Sequence, residues 1–403
     1  MQDDDRVGSR VAALRKMRGI TGRRLAHNAH ISYSLLTKVE AGHVAASPAF
    51  IAAVARALGV EITRITGQPY DDPQSRADQL QATIHPLRRA LLTYDLPADL
   101  DALPRPVEDL RREVAHVSLL GRRARYLELG KTLPALLDEL SAAIAEADDR
   151  SRPGLYALLA EAYGGVSALG QLLGHLDLRV LTLDRIEWAA RQSQDHLRVA
   201  RTNWSRGASL LGVGAYDQGL ALMERTRRDL GDDAGRMDEA TLSVYGSLHL
   251  RSAILAARAN RRRTADDHLA EARGIATLVR PDANHYGMEF GPANVGIHEV
   301  SAAIEGSEGT LAIERAERAE RTGLTTLLPP VRLGHYRIEL ARAWLYHGDR
   351  RRALSTLQSA RRIAPQQVRY HPLVRETVHA IAHSEPRPTD DLRSLASWLA
   401  IDR

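Results

Sequence analysis

The residues whose types and spacing could do chemistry are mostly cations, and they gather at one end of the chain. The 403 residues hold 55 Lys and Arg against 50 Asp and Glu, a net charge of +5. Residues 1–66 alone hold ten (Arg6, Arg10, Arg15, Lys16, Arg18, Arg23, Arg24, Lys38, Arg56, Arg64) against five acids (Asp3, Asp4, Asp5, Glu40, Glu61). The rest of the chain is neutral, 45 against 45. An excess of positive charge confined to one short segment is what phosphate binding requires. Other candidates are weaker. His379 and His383 stand i, i+4, as a helical metal pair would, but no Glu follows His379 and no third ligand is evident, so a packed or solvated pair is expected. Gly164-Gly165 and Gly170 to Gly174 lie inside helical patterns, without the strand that precedes a phosphate loop. There is no Gly-x-Ser-x-Gly elbow. The expectation is that the chain is not an enzyme and uses no cofactor and no metal.

Around those cations, Val11, Leu14, Leu25, Ala26, Ala29, Ile31, Leu36 and Val39 recur at helical spacing. That pattern buries one stripe of each of three short helices in a shared core, and at least two more helices follow. Thr21 and Ser32 stand where N-caps are needed, before Arg23 to Ala26 and before Tyr33 to Glu40, because their hydroxyls accept otherwise unpaired amides. No cysteine is present, hence no disulfide framework and no thiolate site. No apolar run approaches the roughly 20 residues of a bilayer span, and the acidic N-terminus does not read as a signal peptide. A soluble, cytoplasmic protein with no membrane partner is expected.

Arg15, the turn Gly19-Ile20-Thr21, Leu25-Ala26, Ile31-Ser32, Val39-Glu40 with Gly42, Pro48 and Leu58-Gly59-Val60 lie at fixed spacings. The segment resembles the phage-repressor (XRE-type) helix-turn-helix domain. The resemblance implies binding to double-stranded DNA, with Tyr33 to Glu40 as the recognition helix in the major groove. It places Ser32, Tyr33, Ser34, Thr37 and Lys38 toward the bases and makes Arg10, Arg23 and Lys38 the phosphate candidates. Tyr33 could lay its ring on a thymine methyl or deoxyribose, or support the helix as a half-buried aromatic. Arg15 and Glu40 match the structural ion pair of such domains, while Arg18, Arg24 and Arg56 read as a solvated face. Two positions depart from the pattern. Gly22 replaces the usual phosphate-contacting Gln, and His30 replaces a turn Gly, a site of positive φ that His tolerates better than most.

Gly67-Gln68-Pro69-Tyr70-Asp71-Asp72-Pro73 reads as a linker, since its prolines and glycine continue neither flanking helix. The domains are therefore 1–66, the linker 67–73 and a helical remainder, 74–403. Helices are predicted at 74–93, 107–127, 133–148, 153–174, 178–195, 197–212, 216–230, 237–258, 262–279, 292–305, 309–321, 331–346, 350–363, 371–383 and near 390–400. Ala341-x2-Trp344-x3-Gly348-Asp349-x3-Ala353-Leu354-x5-Ala360-x4-Pro365 resembles a tetratricopeptide repeat from mid-helix onward, with small residues where paired helices approach and Pro365 ending the second. Related turns occur at Gly214, Asn260 and Gly306. The expected fold is all-α: a five-helix head followed by an α-solenoid of tetratricopeptide-like hairpins.

A neutral helical array behind one such head resembles the peptide-pheromone (RRNPP-like) regulators of Gram-positive bacteria. It also resembles actinobacterial regulators of the same architecture, matched by Phe290-Gly291-Pro292-Ala293-Asn294-Val295. The resemblance implies a sequence-specific transcriptional regulator, a homodimer, whose array senses a peptide, small molecule or protein partner. The alternative is a protein-interaction scaffold whose head binds DNA weakly or only positions a partner. The repeat register turns Arg201, Trp204, Ser247, Arg251, Asn294, His298, His335 and Arg342 toward the concave side. Of these, Arg201, Trp204, Arg251, Asn294 and His335 are the candidate effector contacts, since Asn pairs with a peptide backbone and Arg grips a carboxylate.

Overall fold

Five short helices form the head in the computed structural model, which describes residues 6–70, 77–96, 103–231, 234–280, 284–306, 308–385 and 387–401. They are α1 (Val7–Met17), α2 (Gly22–Asn28), α3 (Tyr33–Glu40), α4 (Pro48–Leu58) and α5 (Ile62–Thr66). The expected caps are made: the Thr21 hydroxyl accepts from the Arg24 amide at 3.2 Å and the Ser32 hydroxyl from the Leu35 amide at 3.1 Å. Ser47 caps α4 in the same way, with Pro48 at the first helical position. Val11, Leu25, Leu36, Val54, Leu58 and Ile65 close a shared core. His30 takes φ 53°, the left-handed turn conformation expected of it. Gly8 is fixed by contact: a Cβ there would lie 2.0 Å from the Val39 carbonyl oxygen, so the backbones of α1 and α3 meet directly.

Beyond the head, the apolar stripes pair consecutive helices into hairpins. After α6 (Ala77–Gln81) and α7 (Ile84–Leu92) come α8 (Val107–Arg122) with α9 (Tyr126–Glu146) and α10 (Arg152–Leu173) with α11 (Leu176–Gln192). Then follow α12 (His196–Val213) with α13 (Tyr216–Leu230), α14 (Glu239–Arg258) with α15 (Arg262–Ala276), α16 (Pro292–Glu305) with α17 (Gly309–Arg321), and α18 (Pro330–His347) with α19 (Arg350–Ile363). The chain ends in α20 (Pro365–Tyr370), α21 (Pro372–Ser384) and α22 (Asp390–Trp398). From α12 to α18 the first helix of each hairpin packs on the first helix of the next, the stacking of a tetratricopeptide-like solenoid. There is no strand among the described residues, and no described helix is long and apolar enough to cross a membrane.

The structure departs from the expected helices in several places, the one expected over 107–127 stopping at Arg122. The single helix expected over 74–93 is broken after Gln81, where the Thr83 hydroxyl donates to the Leu80 carbonyl at 2.7 Å; residues 74–76 lie outside the described ones. The helix expected from 133 starts at Tyr126 and carries Pro134 inside it. One lost backbone bond is outweighed there by a continuous buried stripe, Leu129, Leu133, Leu136, Leu137 and Leu140, each worth about 2–5 kcal/mol against truncation to Ala. The short α20 was not expected: Pro365, read as ending the preceding helix, also begins this one.

The array curls until its end meets its beginning. Arg122 of α8 pairs with Glu289, just before α16. The Leu127 amide of α9 donates to Gln366 of α20 at 3.0 Å, and Ala364 and Tyr370 enter the core built by α7 to α11. The head is fastened to one end of this ring. Leu373 of α21 is buried in the head's own core. The Glu376 carboxylate accepts from the amides of Ala46, at 2.8 Å, and Val7. Gln68, in the described part of the linker, donates to the carbonyls of Leu172 and Tyr370, both at 3.2 Å. Arg375 stacks on Tyr70 at 4.1 Å, and Arg56, exposed as expected, also donates to the Gly214 carbonyl at 3.4 Å.

Candidate nucleic-acid interface and inner wall

Helix α3 is held from behind by Leu36 and Val39, both buried, and this turns Ser32, Tyr33, Ser34, Thr37 and Lys38 to solvent together on its outer edge. The seam with the array uses the start of α1, the loop after α3, α4 and the residues after α5, so this edge is left uncovered. Arg15 supports it from the inside. Its guanidinium grips the Glu40 carboxylate with two bonds of 2.8 and 2.9 Å and donates to the Ile20 carbonyl at 3.2 Å. Both side chains are largely buried, 16% and 17% exposed, and the bond to Glu40 holds the arginine above its ordinary value. This pair locks the end of α3 to the turn that leads into α2.

Gly22 has a use that sequence did not reveal. A Cβ at Gly22 would stand 3.0 Å from the Tyr33 ring, which lies over this bare backbone while remaining 50% exposed. Arg23 stacks on the same ring at 5.7 Å and is exposed, as a phosphate contact must be. Thr37 spends its hydroxyl proton on the Tyr33 carbonyl at 2.9 Å, leaving its oxygen lone pairs and methyl for a base edge. Arg10 requires a correction. Its Nη1 donates to the Thr66 carbonyl at 3.2 Å and it lies beside Glu376, so it faces the array rather than the α3 edge.

Residues 11–65 match the helix-turn-helix family HTH_3. The head is a helix-turn-helix domain. No curated protein matches the chain. Among solved structures, Bacillus thuringiensis PlcR in complex with the peptide PapR7 and DNA is similar over 79% of this chain and 99% of that one, at 14% identity and a TM-score of 0.33. A score that low fixes neither the arrangement of this array nor a ligand for it.

Behind the helix-turn-helix domain, the array's expected concave residues sort into two groups. Arg201 donates to the Tyr286 carbonyl at 2.6 Å, and the Trp204 indole donates to the Ser247 carbonyl at 3.1 Å. Arg251 lies over the Trp204 ring at 4.3 Å. These three, with His335 on α18, keep surface in contact with solvent. Asn294 is instead buried: its amide donates to the Met288 carbonyl at 3.2 Å, while its Oδ1 has no partner. His298 bonds the Asn294 carbonyl at 2.8 Å. Arg342 is a correction, since it is sealed against Glu339 at 2.5 Å and is part of the core. Phe290 fills the space left by Gly246, where a Cβ would lie 2.1 Å away, and Pro292 begins α16. The Phe-Gly-Pro segment thus acts as a plug between α14 and α16.

Sequence reasoning missed Arg179, Arg332 and His371. Each is partly exposed. Arg332 lies within electrostatic reach of Arg201, Arg251, His298 and His335, and Arg179 within reach of Arg251. The His335 and His371 rings are 5.8 Å apart. Burial holds Arg251 down at about 9 and Arg179 at about 10, and pushes His298 and His371 to about 3, so these two imidazoles are neutral at physiological pH. Arg179 of α11 and Arg332 of α18 are thus both near Arg251 of α14, a grouping across distant helices that no register along the sequence could give.

Proposed function

We propose that the chain is a sequence-specific transcriptional regulator in which the helical array dimerises and senses an effector. One observation carries the reading. The polar edge of α3 is free, while the rest of the helix-turn-helix domain is bound to the ring at Val7, Ala46 and Arg56, and the linker that follows it at Gln68. The array therefore sets where the reading helix points, and a ligand that favours one array shape over another shifts that aim by no more than its difference in affinity for the two. A single domain of this kind covers about half a site, so specific affinity calls for two copies on half-sites about 34–36 Å apart. Because the domain carries the chain's whole positive excess, self-association falls to the neutral array.

The test is a gel-shift series against the DNA upstream of the chain's own gene, with and without cell extract, beside light scattering of the full chain. A dimer that binds a specific fragment, with affinity changed by the extract, is expected. Equal affinity for all fragments at low salt would favour a scaffold with a partner-positioning head, and a monomer at micromolar concentration would exclude the two-headed arrangement.

A further inference from the structure

The ring's inner wall carries more positive charge than its acids neutralise. Four arginines reach it from four helices: Arg179 on α11, Arg201 on α12, Arg251 on α14 and Arg332 on α18. None makes an ion pair among the described residues, and the Nε atoms of Arg179 and Arg251 are buried without a partner. The acids within reach are committed elsewhere. Glu161 holds Ser118 and Arg198, Glu289 holds Arg122, Glu305 holds Arg258 and Glu339 holds Arg342. Enclosed arginines are normally paired, because removing an unpaired charge from water is expensive. Even lowered by burial, the guanidiniums of Arg251 and Arg179 keep their protons at physiological pH and do not escape the cost by neutralising. Repulsion of Arg251 by Arg332 and by Arg179 adds to that cost.

The cluster is also held ready. Trp204, fixed by its bond to Ser247, supports the Arg251 plane. The Tyr286 carbonyl takes only Nε of Arg201, leaving its other nitrogens free near the bare backbones of Gly164 and Gly287. His298, His335 and His371 add neutral donors and acceptors on the same wall.

We propose that this inner wall binds a small multivalent anion, carrying carboxylate or phosphate groups, through Arg179, Arg201, Arg251 and Arg332. The proposal rests on the sensing reading only in that it names the effector's chemical class. Guanidinium forks match both oxyanions in two-pronged fashion, and a ligand of several charges answers several of the four at once.

The experiment is isothermal titration of the full chain with citrate and, separately, with tripolyphosphate, against sodium chloride of equal ionic strength. One saturable site per chain is expected, weakened about tenfold or more by Arg251→Met or Arg332→Met, as loss of a charge-assisted pair implies. Which probe binds tells a carboxylate site from a phosphate site. Without anion, each Met variant should melt at a higher temperature than the parent, since it removes repulsion, and that readout does not depend on finding the ligand. Arg23→Ala and Lys38→Ala should leave binding intact; binding that follows those residues belongs to the DNA face and overturns the proposal. Absence of saturable binding by both probes, or lower melting temperatures for both Met variants, also overturns it. A gel shift at saturating anion separates the two readings: unchanged DNA affinity leaves the anion site standing and removes its regulatory role.

Discussion

At the residue scale, the reading edge of α3 mixes two kinds of contact that titrate differently with salt. Lys38 and Arg23 are exposed cations suited to phosphate. Replacing either by Ala should weaken binding to every sequence and lower the salt slope by about one unit. Tyr33 is different, because its ring rests on the backbone of Gly22 with one face open. Tyr33→Ala should reorder the preferred sites, by roughly 1–3 kcal/mol per lost base contact, and an unchanged rank order in a binding-site selection would remove it from readout. Arg15 contributes to stability instead. Truncating Arg15 strands the largely buried Glu40, so Arg15→Ala should cost about 3 kcal/mol in denaturant unfolding. A loss below one would mean that the pair is ornamental. The caps and the turn at His30 were legible beforehand because they are local, and the Arg15 to Glu40 pair, which joins α1 to α3, was legible only through the resemblance to phage-repressor heads. The Gly22 to Tyr33 contact joins two helices and was not.

At the scale of elements, the joint between α14 and α16 is a socket and a plug. Phe290 is fully buried against Gly246, and Asn294 ties α16 to the loop before it. Phe290→Ala should cost about 3–5 kcal/mol by leaving a cavity, and Gly246→Val about 1–3 kcal/mol by overfilling the same space. Because both changes act on one volume, the double variant should cost clearly less than the sum. Strict additivity in thermal melts would show that the two positions do not share a space. The bounds of α13, α16, α17 and α19 matched the sequence reading residue for residue, since their caps and apolar stripes agree. The readings failed at Pro134, where a buried stripe outweighs the local signal, and at Thr83, whose own hydroxyl bonds the Leu80 carbonyl and ends α6.

At the scale of the molecule, Glu376 is the seam's buried carboxylate. Burial holds its carboxyl above the ordinary range, against the opposing pull of the Ala46 and Val7 amides and of Arg6 and Arg10. Glu40 and His379 line the same crevice. A raised folded value means that its contribution to docking is fully present below the ordinary carboxylate pKa and fades as pH rises through the raised one. Glu376→Gln should keep the head docked and flatten this pH dependence, while Glu376→Ala should release it, leaving two amides unpaired at about 1–3 kcal/mol each. The chain has no cysteine, so dyes on Met17→Cys and Val180→Cys, both exposed positions, report head-to-ring distance by energy transfer. A Glu376→Ala chain with unaltered transfer would place the fastening elsewhere in the seam.

The sequence by itself determined the helix-turn-helix head, the all-α class and the placement of nearly every hairpin, because capping, helical periodicity and turn chemistry act over a few residues. It also located the excess charge, which is a property of composition. Only the tertiary structure decided that the ring closes, that the linker and Arg56 reach it from the head, that Arg10 faces the array and Arg342 is internal, and that Arg179 and Arg332 lie near Arg251. Those outcomes depend on the summed curvature of successive hairpins, and residues far apart in the chain meet only where that curvature brings the last helices back to the first.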